Sequence, residues 1–154
     1  MAQHASNQAV KTVYTAGYEG ESIDTFFEKL LKAGVQRLVD VRYNAISRKY
    51  GFSKGRLRQL CEQRKIDYVH LRQLGIPSSQ RKSLKTVGDY QELMRRYERS
   101  ILPKVSDVQR EALQLVQELP SVLVCFEADV DYCHRGLLAE AVSSEGAMSV
   151  VHLG

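Results

Sequence analysis

Apolar positions along this chain recur in two alternating periods, and that alternation lays out a fold. Residues 12–16 (TVYTA), ended by Gly17, predict a first strand. Residues 22–33 then place Ile23, Phe26, Phe27, Leu30 and Leu31 at i, i+3, i+4, i+7 and i+8, one face of a helix. Ser22 stands where an N-cap belongs, and Gly34 takes the C′ position. A second strand is predicted over 37–42, where Leu38, Val39 and Val41 allow burial on both faces. A basic loop over 43–52 leads to a helix over 53–65 that carries Leu57, Leu60 and Cys61 on one side, and a third strand follows over 67–71.

The next connection, 72–85, is polar and basic. It is long for an α/β unit, and connections beyond about 12 residues are usually functional or mobile. A helix over 87–102 has Tyr90, Leu93, Met94, Tyr97 and Ile101 as its apolar stripe, and Pro103 interrupts it. Ser106 with Gln109 predicts a capping box for a further helix ending at 119, which Pro120 stops. A fourth strand over 121–126, a fifth helix over 133–144 and a last strand over 148–153 complete the pattern. Strands alternating with helices imply right-handed crossovers. The prediction is a single three-layer α/β domain over 1–154, with a mostly parallel five-stranded sheet and helices on both faces. Residues 1–10 are expected to form a flexible N-terminal tail.

Composition adds limits. A chain of 154 residues with 44% hydrophobic and 26% charged side chains can bury a full core, which excludes wholesale disorder. Its apolar runs fall far short of the roughly 20 residues that a membrane-spanning helix needs. The opening MAQHASNQAVK lacks a basic flank followed by an apolar stretch, so no secretory signal is read. Three cysteines, an odd number, favour free thiols in a reducing compartment. The expected location is cytoplasmic, with no membrane partner. The net charge of +4 is unevenly spread: residues 42–104 hold 16 Lys and Arg against 5 Asp and Glu, and the remainder holds 6 against 13. A basic middle can face a polyanion, or can be a set of solvated helix faces.

In a sheet of this kind, ligands bind beyond the carboxyl ends of the strands. The first strand ends in Thr15-Ala16-Gly17-Tyr18, and the second in Val39-Asp40-Val41-Arg42. The third ends in Tyr68-Val69-His70-Leu71-Arg72, and the fourth in Cys125-Phe126-Glu127. The period of two puts Asp40 and Arg42 on one face, and likewise Tyr68, His70 and Arg72. The densest chemistry lies in 125–135, CFEADVDYCHR, which packs two thiols, three carboxylates, an imidazole and a guanidinium between a strand and a helix. A thiol at a helix start, Cys133 beside His134 and Arg135, is a candidate nucleophile or redox group. The plainer alternative is a small residue that packs. Cys125 and Cys61 read as core thiols. Glu127 and Asp129 are candidates to orient Arg42 or His70, or to cap the fifth helix.

The pieces TAGYEG (15–20), LVDVR (38–42), GFSK (51–54), YVHLRQLG (68–75), C-x-E-x-D-x-x-x-C-H-R (125–135) and the closing VVHL resemble the bacterial domain-of-unknown-function family 488, in family order over nearly the whole chain. Val130 departs from it, standing where the family commonly has Pro. The resemblance implies a compact α/β domain with these segments grouped together, and it implies no reaction.

Several familiar sites fail on spacing. Six positions after Cys125 and Cys133 stand Asp131 and Ala139, not the Arg of a Cys-x5-Arg phosphatase or rhodanese-like loop. Neither phosphate-loop nor dinucleotide fingerprint occurs, and there is no H-E-x-x-H helix. Close-paired metal-ligand spacing is absent, and adjacent Cys133 and His134 do not easily face one ion, so no metal site is expected. No cofactor is identifiable.

The leading expectation is a small enzyme acting on a phosphate-bearing substrate, a nucleotide or nucleic acid. Asp40, His70 and Cys133 are its catalytic candidates. Gly17, Tyr18, Arg42, Arg48, Glu127, His134 and Arg135 are its substrate- or anion-binding candidates, with Arg42 and Arg135 as the clamp. Two alternatives stand beside it: a non-catalytic nucleic-acid-binding module, and a thiol-based redox or metal-responsive protein.

Overall fold

A computed structural model describes residues 10–154. Of the expected tail only Val10 lies within that range, where its N–H donates to Gln117 O at 3.2 Å; residues 1–9 lie outside the described residues. Five strands alternate with five α-helices: β1 (Thr12–Gly17), α1 (Ile23–Lys32), β2 (Arg37–Asp40), α2 (Lys54–Gln63), β3 (Asp67–His70), α3 (Val87–Arg96), α4 (Ser106–Glu118), β4 (Ser121–Cys125), α5 (Arg135–Gly146) and β5 (Ser149–Leu153). The sheet order is β3-β2-β4-β1-β5 and every pairing is parallel.

The two faces of the sheet carry separate cores. Phe26, Phe27 and Leu30 of α1 join Leu57, Leu60 and Cys61 of α2 over Ala16, Leu38, Val122 and Val124. On the other face Leu93 and Tyr97, Ala112 and Val116 of α4, and Leu138, Ala139 and Val142 of α5 cover Val13, Val39 and Leu123. The connections leaving β1 and β2 thus lead to one face, and those leaving β3 and β4 to the other. Because β4 lies between β2 and β1, chains diverge on both of its sides, opening a crevice at the carboxyl edge. Register lines up the strand ends there: Gly17 opposite Cys125, and Asp40 opposite both Val124 and His70.

Sequence expectation and structure part at element ends. Ser22 caps α1 as predicted, accepting from Thr25 N at 3.1 Å, and Gly34 takes the left-handed turn at φ 77°. The capping box predicted at Ser106 does not form. Val105 precedes that helix, and the Gln109 side chain donates to Leu102 O at 2.7 Å instead. The capping box the structure does hold is Thr86 with Asp89, at the start of α3. The predicted 87–102 helix is α-helical only to Arg96 and continues as a π-turn (Tyr97–Ile101) and a 3₁₀ turn (Leu102–Lys104) around Pro103. The fifth helix begins at Arg135 rather than Cys133, because a separate 3₁₀ turn, Val130–Tyr132, capped by Asp129 on Asp131 N, occupies the loop before it. Asp129 therefore caps that short turn, not the helix. Among the described residues no helix is long and apolar enough to cross a membrane.

Candidate functional site

The crevice holds a hollow of about 360 Å³. Its lining comes from every connection at the carboxyl edge: Tyr18 after β1, Arg42 to Ser47 after β2, Ile76, Ser78 and Arg81 after β3, and Cys125 to Glu127 with His134 after β4. A larger hollow of about 740 Å³ lies between α1 and the chain's last residues, where it carries neither a thiol nor an imidazole. Chemistry therefore points to the smaller one.

Arg42 is its most constrained side chain. The β2 ladder ends at Asp40, whose carboxylate turns back to accept from Arg42 N, and the two side chains meet in a two-point ion pair, Nε to Oδ1 at 2.8 Å and an η-nitrogen to Oδ2 at 2.7 Å. The other η-nitrogen donates to Tyr18 Oη at 2.9 Å and to Phe52 O at 2.7 Å. Four of the five guanidinium N–H groups are thus spent on protein. Burial works against the Arg42 charge, but the Asp40 pairing and Tyr18 outweigh it and the pKa rises. Tyr68 Oη donates to Asp40 at 2.5 Å; burial and then the Asp40 charge raise its pKa. Tyr18 lies flat on Phe52 with ring centres 4.2 Å apart, which fixes its hydroxyl beneath Arg42.

Glu127 sits opposite. One carboxylate oxygen pairs with Arg81, and the other, Oε2, is buried with no partner among the described residues. A close approach holds this loop in place: a Cβ on Gly17 would overlap the Glu127 carbonyl. Gly17→Ala should cost ~3 kcal/mol or more, the upper end of overpacking penalties. Chemical denaturation followed by circular dichroism would read this, and a variant as stable as the wild type would refute the close packing.

Behind the hollow lies a sulfur-rich cluster. Cys125 and Cys133 are joined as a disulfide, with Cα atoms 7.3 Å apart. The odd cysteine count favoured free thiols and Cys125 read as a core thiol; the fold instead brings the end of β4 and the residues before α5 together. His134, fully buried, donates from Nε2 to Val41 O at 2.8 Å, which leaves Nδ1 facing Cys133 Sγ at 3.9 Å. Burial lowers the His134 pKa to about 4, so the ring is neutral near pH 7. Cys61 lies apart in the opposite core, where burial pushes its thiol up to about 12.

The fold brings Tyr18, Arg42, Glu127 and His134 together around one hollow, with Gly17 and Asp40 packed directly behind its walls. It separates others. Arg135 does not line the hollow: it is 1% exposed and spends its donors on Thr15 Oγ1, Cys125 Sγ, Glu127 O and Ala128 O. Burial lowers its pKa, against the opposing charges of Glu127 and Asp129. His70 lies behind Arg42, its Nε2 bonded to Arg42 O at 2.7 Å. Arg48 is exposed on the β2–α2 loop and outside the lining. Cys133 faces a different hollow, of about 270 Å³, beside Met94 and Leu137. Asn44 and Phe126 were not among the site candidates, and Arg81 was expected only as one of the basic loop residues that could guide a polyanion. Arg81 and Glu127 are 46 positions apart, and only the length of the 72–85 connection signalled that it carries function.

The family model described as Domain of unknown function DUF488 matches residues 22–142. No curated protein and no solved structure matches the chain.

Proposed function

This chain belongs to the DUF488 family, and from that premise and the cleft we propose that it is a small enzyme acting on a phosphate-bearing substrate of the nucleotide or nucleic-acid class. The observation that carries the reading is the shared hollow, whose walls hold two guanidinium groups, Arg42 and Arg81, and the Glu127 carboxylate, one buried oxygen of which has no partner among the described residues. Arg42 gives the wall a fixed positive charge, and Arg81 adds a guanidinium fork for phosphate oxygens. Tyr43 and Phe126 supply aromatic faces on which a base can stack. The unpartnered Glu127 Oε2 is a ready acceptor for base N–H groups, and a ligand donor there removes a desolvation cost of ~1–3 kcal/mol. Glu127 is also the group in the hollow suited to take a proton from substrate or water. Asp40 and His70 support this arrangement from behind by fixing Arg42.

Exposed Arg48 and Lys82 stand on the two loops that wall the cleft, suited to the phosphates on either side of a nucleotide held in a strand. Calorimetric titration with nucleoside 5′-monophosphates and the matching nucleosides tests the reading. The monophosphate should bind ~10–100-fold more tightly, as expected for charge-assisted bonds, and Arg81→Ala should remove most of that difference. Equal affinity for the two, or no binding of either at millimolar concentration, would overturn it.

A further inference from the structure

We propose that Cys125, Cys133 and His134 form a three-ligand site for a zinc-class divalent cation whose remaining coordination position is reached from the cleft. The ligating atoms of these three buried residues lie within 4.8 Å of one another. Adjacent Cys133 and His134, whose spacing argued against a common ion, are turned together because the helix starts two residues later than the apolar pattern indicates.

Each ligand has the outer partner that metal sites use to orient their ligands. The His134 Nε2–H is given to Val41 O, so the nitrogen facing Cys133 is the lone-pair-bearing Nδ1. Arg135 N points at Cys133 Sγ from 3.5 Å, and the Arg135 guanidinium donates to Cys125 Sγ at 3.3 Å, both contacts that favour thiolates. On a tetrahedral zinc ion, neighbouring S and N ligands lie roughly 3.5–3.8 Å apart. The 3.9 Å between Cys133 Sγ and His134 Nδ1 is close to that. The sulfurs must part to admit the ion. Their Cα separation of 7.3 Å already exceeds the ~4.4–6.8 Å usual for a bridged pair.

Two thiolates and a neutral imidazole suit zinc over harder cations, and three protein ligands leave a position open. The Cys125–Cys133 bond must first take two electrons and two protons from a thiol reductant, which leaves as its own disulfide. Loading of the resulting dithiol then releases the two thiol protons and moves no electrons. Cys125 and His134 both line the cleft. Any catalytic use of that position, unlike the binding itself, rests on the cleft being a substrate site.

The test uses the full chain, reduced and stripped with a chelator, titrated with Co²⁺ and then Zn²⁺. One Co²⁺ per chain should bind with thiolate-to-cobalt absorption, be displaced by Zn²⁺, and persist in Cys61→Ser. Cys125→Ser and Cys133→Ser should each weaken binding by more than the ~10–100-fold that loss of an outer partner costs. Should the serine variants misfold, alkylation of the reduced wild type decides alone: Zn²⁺ should protect Cys125 and Cys133, read by mass spectrometry of the labelled peptides. Failure of the reduced wild type to take up metal, or unchanged affinity in both serine variants, would overturn the site. Isolation of an oxidised Cys125–Cys133 pair that takes no metal once reduced would do the same, and would mark a redox couple. Nucleotide titrations of the stripped protein stand apart, so failure of the substrate reading leaves metal uptake intact, and the reverse.

Discussion

Arg135→Met is expected to destabilise the protein by ~3 kcal/mol or more, since two or more bonds from a buried charged group are lost together. The guanidinium is fully enclosed and ties three pieces of chain: β1 through Thr15, the end of β4 through Cys125, and the following loop through the carbonyls of Glu127 and Ala128. Methionine replaces the stem but none of the donors, so the buried Glu127 carbonyl loses a partner that water cannot replace. Lysine should rescue little, because its single ammonium cannot repeat a planar fork over four acceptors. Equilibrium urea denaturation reads the effect, which is a large part of the 5–15 kcal/mol that holds a typical domain together. A midpoint near that of the wild type would mean that the loop is held by something else.

Arg42→Met should cost a similar ~3–5 kcal/mol, the usual penalty for leaving one partner of a buried ion pair uncompensated. Asp40 is 0% exposed and would retain only the Tyr68 hydroxyl and the backbone N–H of residue 42 as donors. Removing its charge as well should restore much of the loss. The double variant Asp40→Asn with Arg42→Met is therefore expected to be more stable than Arg42→Met alone by ~2 kcal/mol, a coupling typical of directly bonded pairs. Strict additivity of the two changes in denaturation free energy would contradict the pair as the organiser of this strand end.

Much of this architecture is local and was legible in the chain. The 3.6-residue stripe of Ile23, Phe26, Phe27 and Leu30, the Ser22 cap and the alternation of strands with helices depend on neighbours in sequence, and they recur in the fold. The period of two on β2 placed Asp40 and Arg42 on one face, and there the two side chains meet. Sheet order was illegible, because the pairing of β1 with β4 joins residues more than a hundred positions apart. So was the difference between Arg42 and Arg135. In sequence both are arginines at the edge of a strand or helix. Only the folded surroundings bury one among Thr15, Cys125 and two loop carbonyls and set the other in the wall of the cleft. The partnership of Glu127 with Arg81 was hidden for the same reason, as was the meeting of His134 with two thiols.

Chemical-shift mapping of the ¹⁵N-labelled protein with a nucleoside 5′-monophosphate would locate the ligand residue by residue. Perturbations should concentrate on Tyr18, residues 42–44, Ile46, Ser47, Arg81 and residues 126–127, the walls of the hollow at the carboxyl edge. Perturbations confined to the hollow between α1 and Leu153, or spread over the basic helix faces without a focus at the cleft, would contradict this placement.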